Sequence, residues 1–271
     1  MTQQNSEKIL AFSPKRARKD MFTDKSVNEL LDLAKSSIEL RDYDMGNAYA
    51  GECIRRDAKN LSAQIFFAET VINDRESERK FNEFLTRAVK RMHAESWSSG
   101  DENHLLYLLM REEYGRLLME EGKYTLACRQ FECILDTNPT DARNNRYRLA
   151  SLYAILERRS TLDAFARAYP HEKNSPFFLF PRAVAAFKEN DYETTKRLVQ
   201  HLCRLAPHWQ VAFRRDIFVT LTDNMDSYDK KNYRKNSFDE MLAVLECNAI
   251  LLVTTPGFTD YGINLVVTTK A

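Results

Sequence analysis

Five cysteines (Cys53, Cys128, Cys133, Cys203 and Cys247) and five histidines are the residues from which this chain would build a metal site or a nucleophile. Their number and spacing argue against both. The cysteine count is odd, and no two stand in C-x-x-C spacing. Cys53, Cys128, Cys133 and Cys203 fall on helical stretches beside apolar residues, where a cysteine in a reducing compartment serves as a small buried hydrophobe. His201, Cys203 and His208 are close in sequence, but helical spacing points His201 and Cys203 in different directions. His171-Glu172 stands alone beside Pro170, outside any H-E-x-x-H pattern. There is no G-x-G-x-x-G, no phosphate loop and no G-x-S-x-G. Scattered Asp and Glu on helices produce chance carboxylate pairs that carry no weight. The expectation is a chain without catalytic residues, cofactor or metal.

Charge and composition narrow the class further. Lys+Arg number 40 against 39 Asp+Glu, a net charge of +1, so no global field draws the chain toward nucleic acid. The one basic cluster, Lys15-Arg16-Ala17-Arg18-Lys19, belongs to a polar stretch, 1–25, expected to be a solvated, partly disordered leader. Nonpolar residues make up 44% and mean hydropathy is −0.52, values of an ordinary globular protein. Only 7 Gly and 7 Pro leave too few turns for an all-β fold, which favours helices. The first apolar run after Met1 is too short for a signal peptide, and no stretch approaches a membrane span. The cytoplasm is the expected location, with no membrane partner.

The elements that must position any site are helical. Ser26 reads as a cap with Glu29 in capping-box register, followed by the stripe Leu30, Leu33, Ala34 and Ile38. The interval from Tyr43 to Gly46 matches Tyr124 to Ala127 and Tyr192 to Thr195. Tyr43 to Ala50, Tyr124 to Phe131 and Tyr192 to Val199 also share one interval. Ala58 stands where Pro139 and Pro207 stand in the other two stretches. Tyr124 and Tyr192 are 68 residues apart, room for one divergent unit between them, and a polar loop at 95–103 lengthens the second unit. Five helix pairs result, at 26–59, 60–101, 102–141, 142–175 and 176–209. Beyond Trp209, Val211–Leu221 and Phe238–Leu252 read as helices, the latter capped by Ser237 with Glu240 in register, around a polar loop at 224–236. Thr254–Gly257 reads as a turn, and Gly262–Thr269 as either a strand or a tail. The expected organisation is thus a leader at 1–25, a helical array at 26–209, and capping helices with a tail at 210–271.

The stretch 111–139 carries Gly115, Gly122-x-Tyr124, Ala127, Phe131 and Pro139 in an order that resembles the tetratricopeptide repeat, whose period is about 34 residues. The resemblance implies an all-α, right-handed superhelical array of about five helix pairs that acts as a binding scaffold, the first helix of each pair lining a concave groove. Asn138-Pro-Thr-Asp-Ala-Arg-Asn-Asn-Arg-Tyr147 is similar to an N-P-x-D-x-x-G-x-R-Y segment of poorly characterised bacterial tetratricopeptide proteins and of the suppressor of tumorigenicity 7 family. Asn144 replaces its Gly, and Asn is the next most tolerant residue of a left-handed conformation. The Lys/Asn/Arg clamp of repeat domains that hold chaperone tails is not matched. The corresponding positions are Leu31, Lys35, Phe66, Leu109 and Glu113, and only Lys35 is of the right type.

Laid on the same template, the fourth and fifth units turn Arg143, Arg146, Tyr147 and Tyr153 toward the groove, joined by Phe177, Phe180 and Phe187. Cations and rings on one surface suit a protein or peptide partner with carboxylates and hydrophobic anchors. The competing reading of these rings is burial against neighbouring helices, above all for Phe177-Phe-Leu-Phe180 between Pro176 and Pro181. Glu112, Glu113, Arg116 and Glu120 read as a solvated face. The functional expectation is a non-catalytic adaptor; the alternative is a sensor of a small signalling peptide that lacks a DNA-binding module. A homodimer through the outer faces or the C-terminal segment is also open.

Overall fold

Two helices of a pair lie side by side when the chain reverses within a few residues, and in four of the five pairs it does so by one device. Arg41, Gly122, Glu157 and Asn190 all have a left-handed backbone, with φ of 61°, 72°, 57° and 61°. The amide of the following residue reaches the carbonyl five residues back: Asp42 to Ser37, Lys123 to Leu118, Arg158 to Tyr153 and Asp191 to Ala186, at 2.8–2.9 Å. The left-handed residue itself donates to the carbonyl three residues back, completing a Schellman motif. The next helix begins two residues on, at Tyr43, Tyr124, Arg159 and Tyr192. Glu157 lies 35 residues after Gly122 and 33 before Asn190, which gives the divergent fourth pair its register.

The computed structural model describes residues 22–71, 74–224, 228 and 232–268. Most of the expected leader, including its basic cluster, and much of the 224–236 loop lie outside the described residues. Every described element is helical. The first pair is α1 (Val27–Glu39) with α2 (Tyr43–Arg56), and the second is α3 (Leu61–Glu69) with α4 (Asp74–Glu95). The third joins α5 (Glu102–Glu120) to α6 (Tyr124–Thr137). The fourth joins α7 (Asn145–Ile155) to α8 (Arg159–Ala168), and the fifth α9 (Pro176–Lys188) to α10 (Tyr192–Leu205). Then come α11 (Pro207–Arg215), α12 (Ile217–Thr222), α13 (Phe238–Cys247), α14 (Ala249–Val253) and α15 (Pro256–Thr268). The chain divides into two compact units, 1–113 and 114–271, with the boundary inside α5.

In the first unit the Ser26 capping box is formed in both directions: Ser26 Oγ accepts from Glu29 N, and the Glu29 carboxylate accepts from Ser26 N. Leu30, Cys53 and Ala63 form a buried cluster that joins α1, α2 and α3, with Phe22, Val27 and Tyr49 against it. Gly46 lets α2 approach closely, since a Cβ there would stand 3.2 Å from both Ile38 and Thr70. Glu112, read from sequence as part of a solvated face, is buried.

In the second unit Gly115 plays the same part for α5 and α6, where a Cβ would meet the Phe131 ring at 3.0 Å. Beyond the fifth pair the structure departs from the sequence reading in three places. The expected helix 211–221 is two helices, broken at Asp216 (φ 83°), whose carboxylate accepts from Phe218 N and caps α12. The expected helix 238–252 breaks at Asn248, whose buried side chain donates to the Val244 carbonyl and ends α13. Residues 262–268 are neither strand nor tail: they belong to α15, which packs along α11. Local β-propensity is overridden there by tertiary packing. Gly262 permits it, because a Cβ at this position would stand 2.4 Å from the Phe213 ring.

Three substitutions test these contacts and turns. Gly262→Ala removes a helix-weakening glycine yet drives a methyl into the fully buried Phe213 ring. Overpacking wins, and chemical denaturation should show a loss of about 1–3 kcal/mol. Gly122→Ala should cost about 1 kcal/mol at the left-handed turn, whereas Arg41→Gly at the equivalent position should stabilise by a few tenths.

Candidate binding surface

The fourth pair begins with a buried carboxylate. Asp141, whose side chain is 0% exposed, accepts from the backbone amides of Asn145 (2.7 Å) and Arg146 (2.9 Å) and so caps α7. Asn144 is left-handed (φ 60°), the conformation for which the similar segment carries Gly. The Arg146 guanidinium lies between Asp141 (3.5 Å) and Glu172 of the 3-10 turn Pro170–Glu172 (3.2 Å). Glu172 also accepts from the Tyr147 hydroxyl, at 2.9 Å from each oxygen. Arg146 further sits over the rings of Tyr147 and Tyr169. Burial and the adjacent Glu172 carboxylate push the Tyr147 phenol up to about 12.

This clasp sets the Tyr147 ring against Phe177, stacked at 4.2 Å between centroids, and Phe177 in turn stacks on Tyr233 at 6.3 Å. Here a hollow of about 520 Å3 opens within the second unit. The end of α5 contributes Arg116, Met119 and Glu120, and the α7 region contributes Arg143, Asn144, Tyr147 and Arg148. Phe177 comes from α9. The opposite wall is Tyr228, Tyr233 and the α13–α14 residues Ala243, Glu246, Cys247 and Ile250. Both α13 and α14 contact α7, and α13 also contacts α9. The C-terminal helices therefore do more than close the end of the array: they stand on the first helices of its last two pairs.

Of the residues proposed from sequence for the groove, Arg143, Tyr147 and Phe177 line this hollow. Arg146 lies beside it, and its charge is taken up by Asp141 and Glu172. Tyr153 is buried elsewhere; it donates to Glu132 (2.9 Å) and packs edge-on against Phe165. Phe180 is fully buried, stacked on Trp209 at 5.5 Å and meeting Phe258 edge-on. Phe187 packs against Tyr192, Phe258 and Tyr261. For Phe180 the reason is that a helix receiving neighbours on both sides buries rings all round, and α9 has almost no solvent face before Arg182; Phe187, beyond it, is half-buried.

Sequence reasoning missed Arg116, Arg148 and the whole wall from Tyr228 to Ile250. Arg148 was findable, since it lies one residue beyond Tyr147 on a helix start already read as groove-lining. The C-terminal wall had no local signal, because it is brought there by long-range packing.

Four of the five cysteines have thiols raised away from the reactive range. Burial pushes the thiols of Cys53, Cys203 and Cys247 up to about 11, and burial with the nearby Glu132 pushes Cys128 up to about 12. Among the described residues no three His, Cys, Asp or Glu side chains converge as metal ligands, and no helix is long and apolar enough to cross a membrane.

The fold is similar to the crystal structure of a tetratricopeptide repeat protein from Parabacteroides merdae, with a TM-score of 0.50 and 11% sequence identity. The match covers 89% of this chain and 98% of that one. At this identity the likeness shows the fold alone, an all-α arrangement of tetratricopeptide-like helix pairs. No protein-family model and no curated protein matches the chain.

The clasp is testable by pH. Tyr147→Phe loses the bond to Glu172 and should lower stability at neutral pH by about 1 kcal/mol. In the wild type the phenol ionises at a higher pH in the folded chain than in the unfolded chain. Stability therefore falls as pH rises from about 10 toward about 12. That alkaline fall should be shallower in Tyr147→Phe, as followed by denaturant midpoints across the range. Asp141→Ala should cost about 2–3 kcal/mol, since it removes a helix cap and one carboxylate partner of Arg146.

Proposed function

We propose that this chain is a non-catalytic adaptor that holds a short peptide segment of a protein partner in the hollow bounded by α5, α7, α9, α13 and α14. The observation that carries this reading is the make-up of that hollow. Arg116, Arg143 and Arg148 stand with Glu120 and Glu246 beside the rings of Tyr147, Phe177 and Tyr233, in a space of about 520 Å3. Pockets of this size bind ligands when a few placed polar groups fix orientation on an apolar wall. Arginines suit carboxylates through their planar fork, and aromatic rings supply contact area at low entropic cost. An acidic residue next to a large apolar one is the peptide that matches. The tetratricopeptide-like fold supports such a role without specifying the ligand.

Selection of displayed random peptides on the immobilised full chain tests this reading. The enriched sequences should carry Asp or Glu beside Phe, Leu or Trp. Arg143→Glu with Arg148→Glu should weaken the best of them by about tenfold or more, equivalent to about 1.4 kcal/mol, without lowering the melting temperature. Enriched peptides without acids, or affinity unchanged by the double reversal, would remove the hollow from the function.

A further inference from the structure

The near-neutral balance of the whole chain conceals a local excess. Residues 158–215 hold 11 Lys and Arg against 5 Asp and Glu, a net +6 in a protein of net +1. Four of those five acids are already engaged. Asp163 pairs with Arg182 at 2.7 Å, and Glu189 and Asp191 pair with Arg159 at 2.9 and 2.6 Å. Glu172 is held by Arg146 and Tyr147. The fifth, Glu193, is exposed on the first turn of α10. Arg167, Lys173, Lys196, Arg197, Arg204 and Arg214 form no ion pair with any of them, and all six are exposed.

Three observations place part of this set on one surface. On α10, Arg197, His201 and Arg204 fall at helical spacing opposite the buried Thr195, Leu198 and Leu202. The His201 imidazole is held below its ordinary range by burial and then by Arg204 and Lys173, so the 3-10 turn and α10 present their cations together. Recesses lie at either end. One of about 260 Å3 is lined by Arg167, Lys173 and Arg182 over Phe178, together with the already paired Asp163 and Glu172. The other, of about 410 Å3, is lined by the apolar Val199, Leu265 and Val266 beside Arg204 and Arg214.

We propose that the face formed by α8, the 3-10 turn, α10 and α11 is a second docking surface, for an acidic peptide segment of a protein partner that seats one large apolar side chain in the recess between α10, α11 and α15. Charge complementarity selects an anionic occupant. The apolar recess favours an acidic peptide over a nucleic acid, because a nucleic acid would leave that recess empty and would call for exposed aromatic platforms. Among the aromatic residues of α10 and α11, Trp209 and Phe213 are buried, and Tyr192, 46% exposed at the start of α10, is the single exposed ring among the described residues there and packs tilted against Tyr261. Long-range attraction at such a face accelerates encounter and weakens with salt. The surface is separate from the hollow in its residues, and the proposal stands whether or not the hollow binds.

The test is fluorescence anisotropy on the full chain with a dye-labelled Asp/Glu-rich peptide carrying one central Phe. Competitors are single-stranded RNA and vesicles containing phosphatidylserine. Binding should weaken as salt rises, and by about tenfold or more in Arg167→Glu with Lys173→Glu and in Arg204→Glu with Arg214→Glu. All four residues are exposed, so both variants should melt with the wild type. Replacing the Phe by Ala should weaken the peptide in the wild type. Arg143→Glu with Arg148→Glu, which reverses two of the hollow's three arginines, should leave this binding unchanged. Absence of binding, affinity indifferent to both outer-face variants, or RNA or vesicles bound more tightly than the peptide would each overturn the proposal.

Discussion

The reversal between paired helices is the constraint on which the rest of this structure depends. A single amide-to-carbonyl bond spanning five residues, made after Arg41, Gly122, Glu157 and Asn190, ends one helix and aims the next. The bond is made by the backbone, so the residue that supplies the left-handed conformation need not be glycine. Arginine, glutamate and asparagine each meet the requirement, at a steric cost of about 1 kcal/mol that packing of the pair offsets. What the pair does demand of side chains is smallness at the crossing, met by Gly46 and by Gly115 against Phe131. The turn sets the direction of the second helix, and the small residue sets its distance.

The clasp around Arg146 shows how a short sequence pattern can encode architecture. Asp141 caps α7 through two amides, Asn144 turns left-handed, Arg146 bridges Asp141 to Glu172, and Tyr147 donates to Glu172. Charges with so little exposure are tolerable only when each finds several partners, and here each does. The Arg146 and Tyr147 that a reading by residue type assigns to a ligand are first of all occupied with each other's neighbours. Their contribution to the hollow is indirect. By fixing the Tyr147 ring against Phe177 they give the cavity a rigid aromatic wall.

The helix pairs were legible because their signals are local: tyrosines at one interval, Gly115 and Gly122, and a capping box at Ser26. The divergent fourth pair could be inferred only from the length between Tyr124 and Tyr192, since its turn residue, Glu157, bears no sequence mark of a left-handed conformation. Local patterning failed after Trp209. Asp216 and Asn248 break helices by capping chemistry that an apolar stripe does not reveal. Residues 262–268 have β-branched character but are helical because α15 fits against α11. Of the candidate site, repeat register made Arg143, Tyr147 and Phe177 legible as residues of the hollow, whereas Tyr153 and Phe180 are buried and Phe187 half-buried against neighbours that register does not describe.

For Phe180 and Phe187 those neighbours include the C-terminal helices, and they change what kind of repeat protein this is. In an open array each unit touches only the next, and stability is close to a sum over neighbours. Here α13 and α14 return to α7 and α9, and α15 lies along α11, so the second unit is tied together by contacts between residues far apart in sequence. Such closure makes unfolding of the unit more cooperative and its folding slower than that of an open stack. It also divides the available surface. The face of α7 that an open array would leave uncovered is narrowed to a walled hollow between Tyr147 and the α13–α14 side. The opposite consequence holds for α10, whose cations Arg197 and Arg204 are exposed and, among the described residues, form no ion pair with an acid of the C-terminal helices.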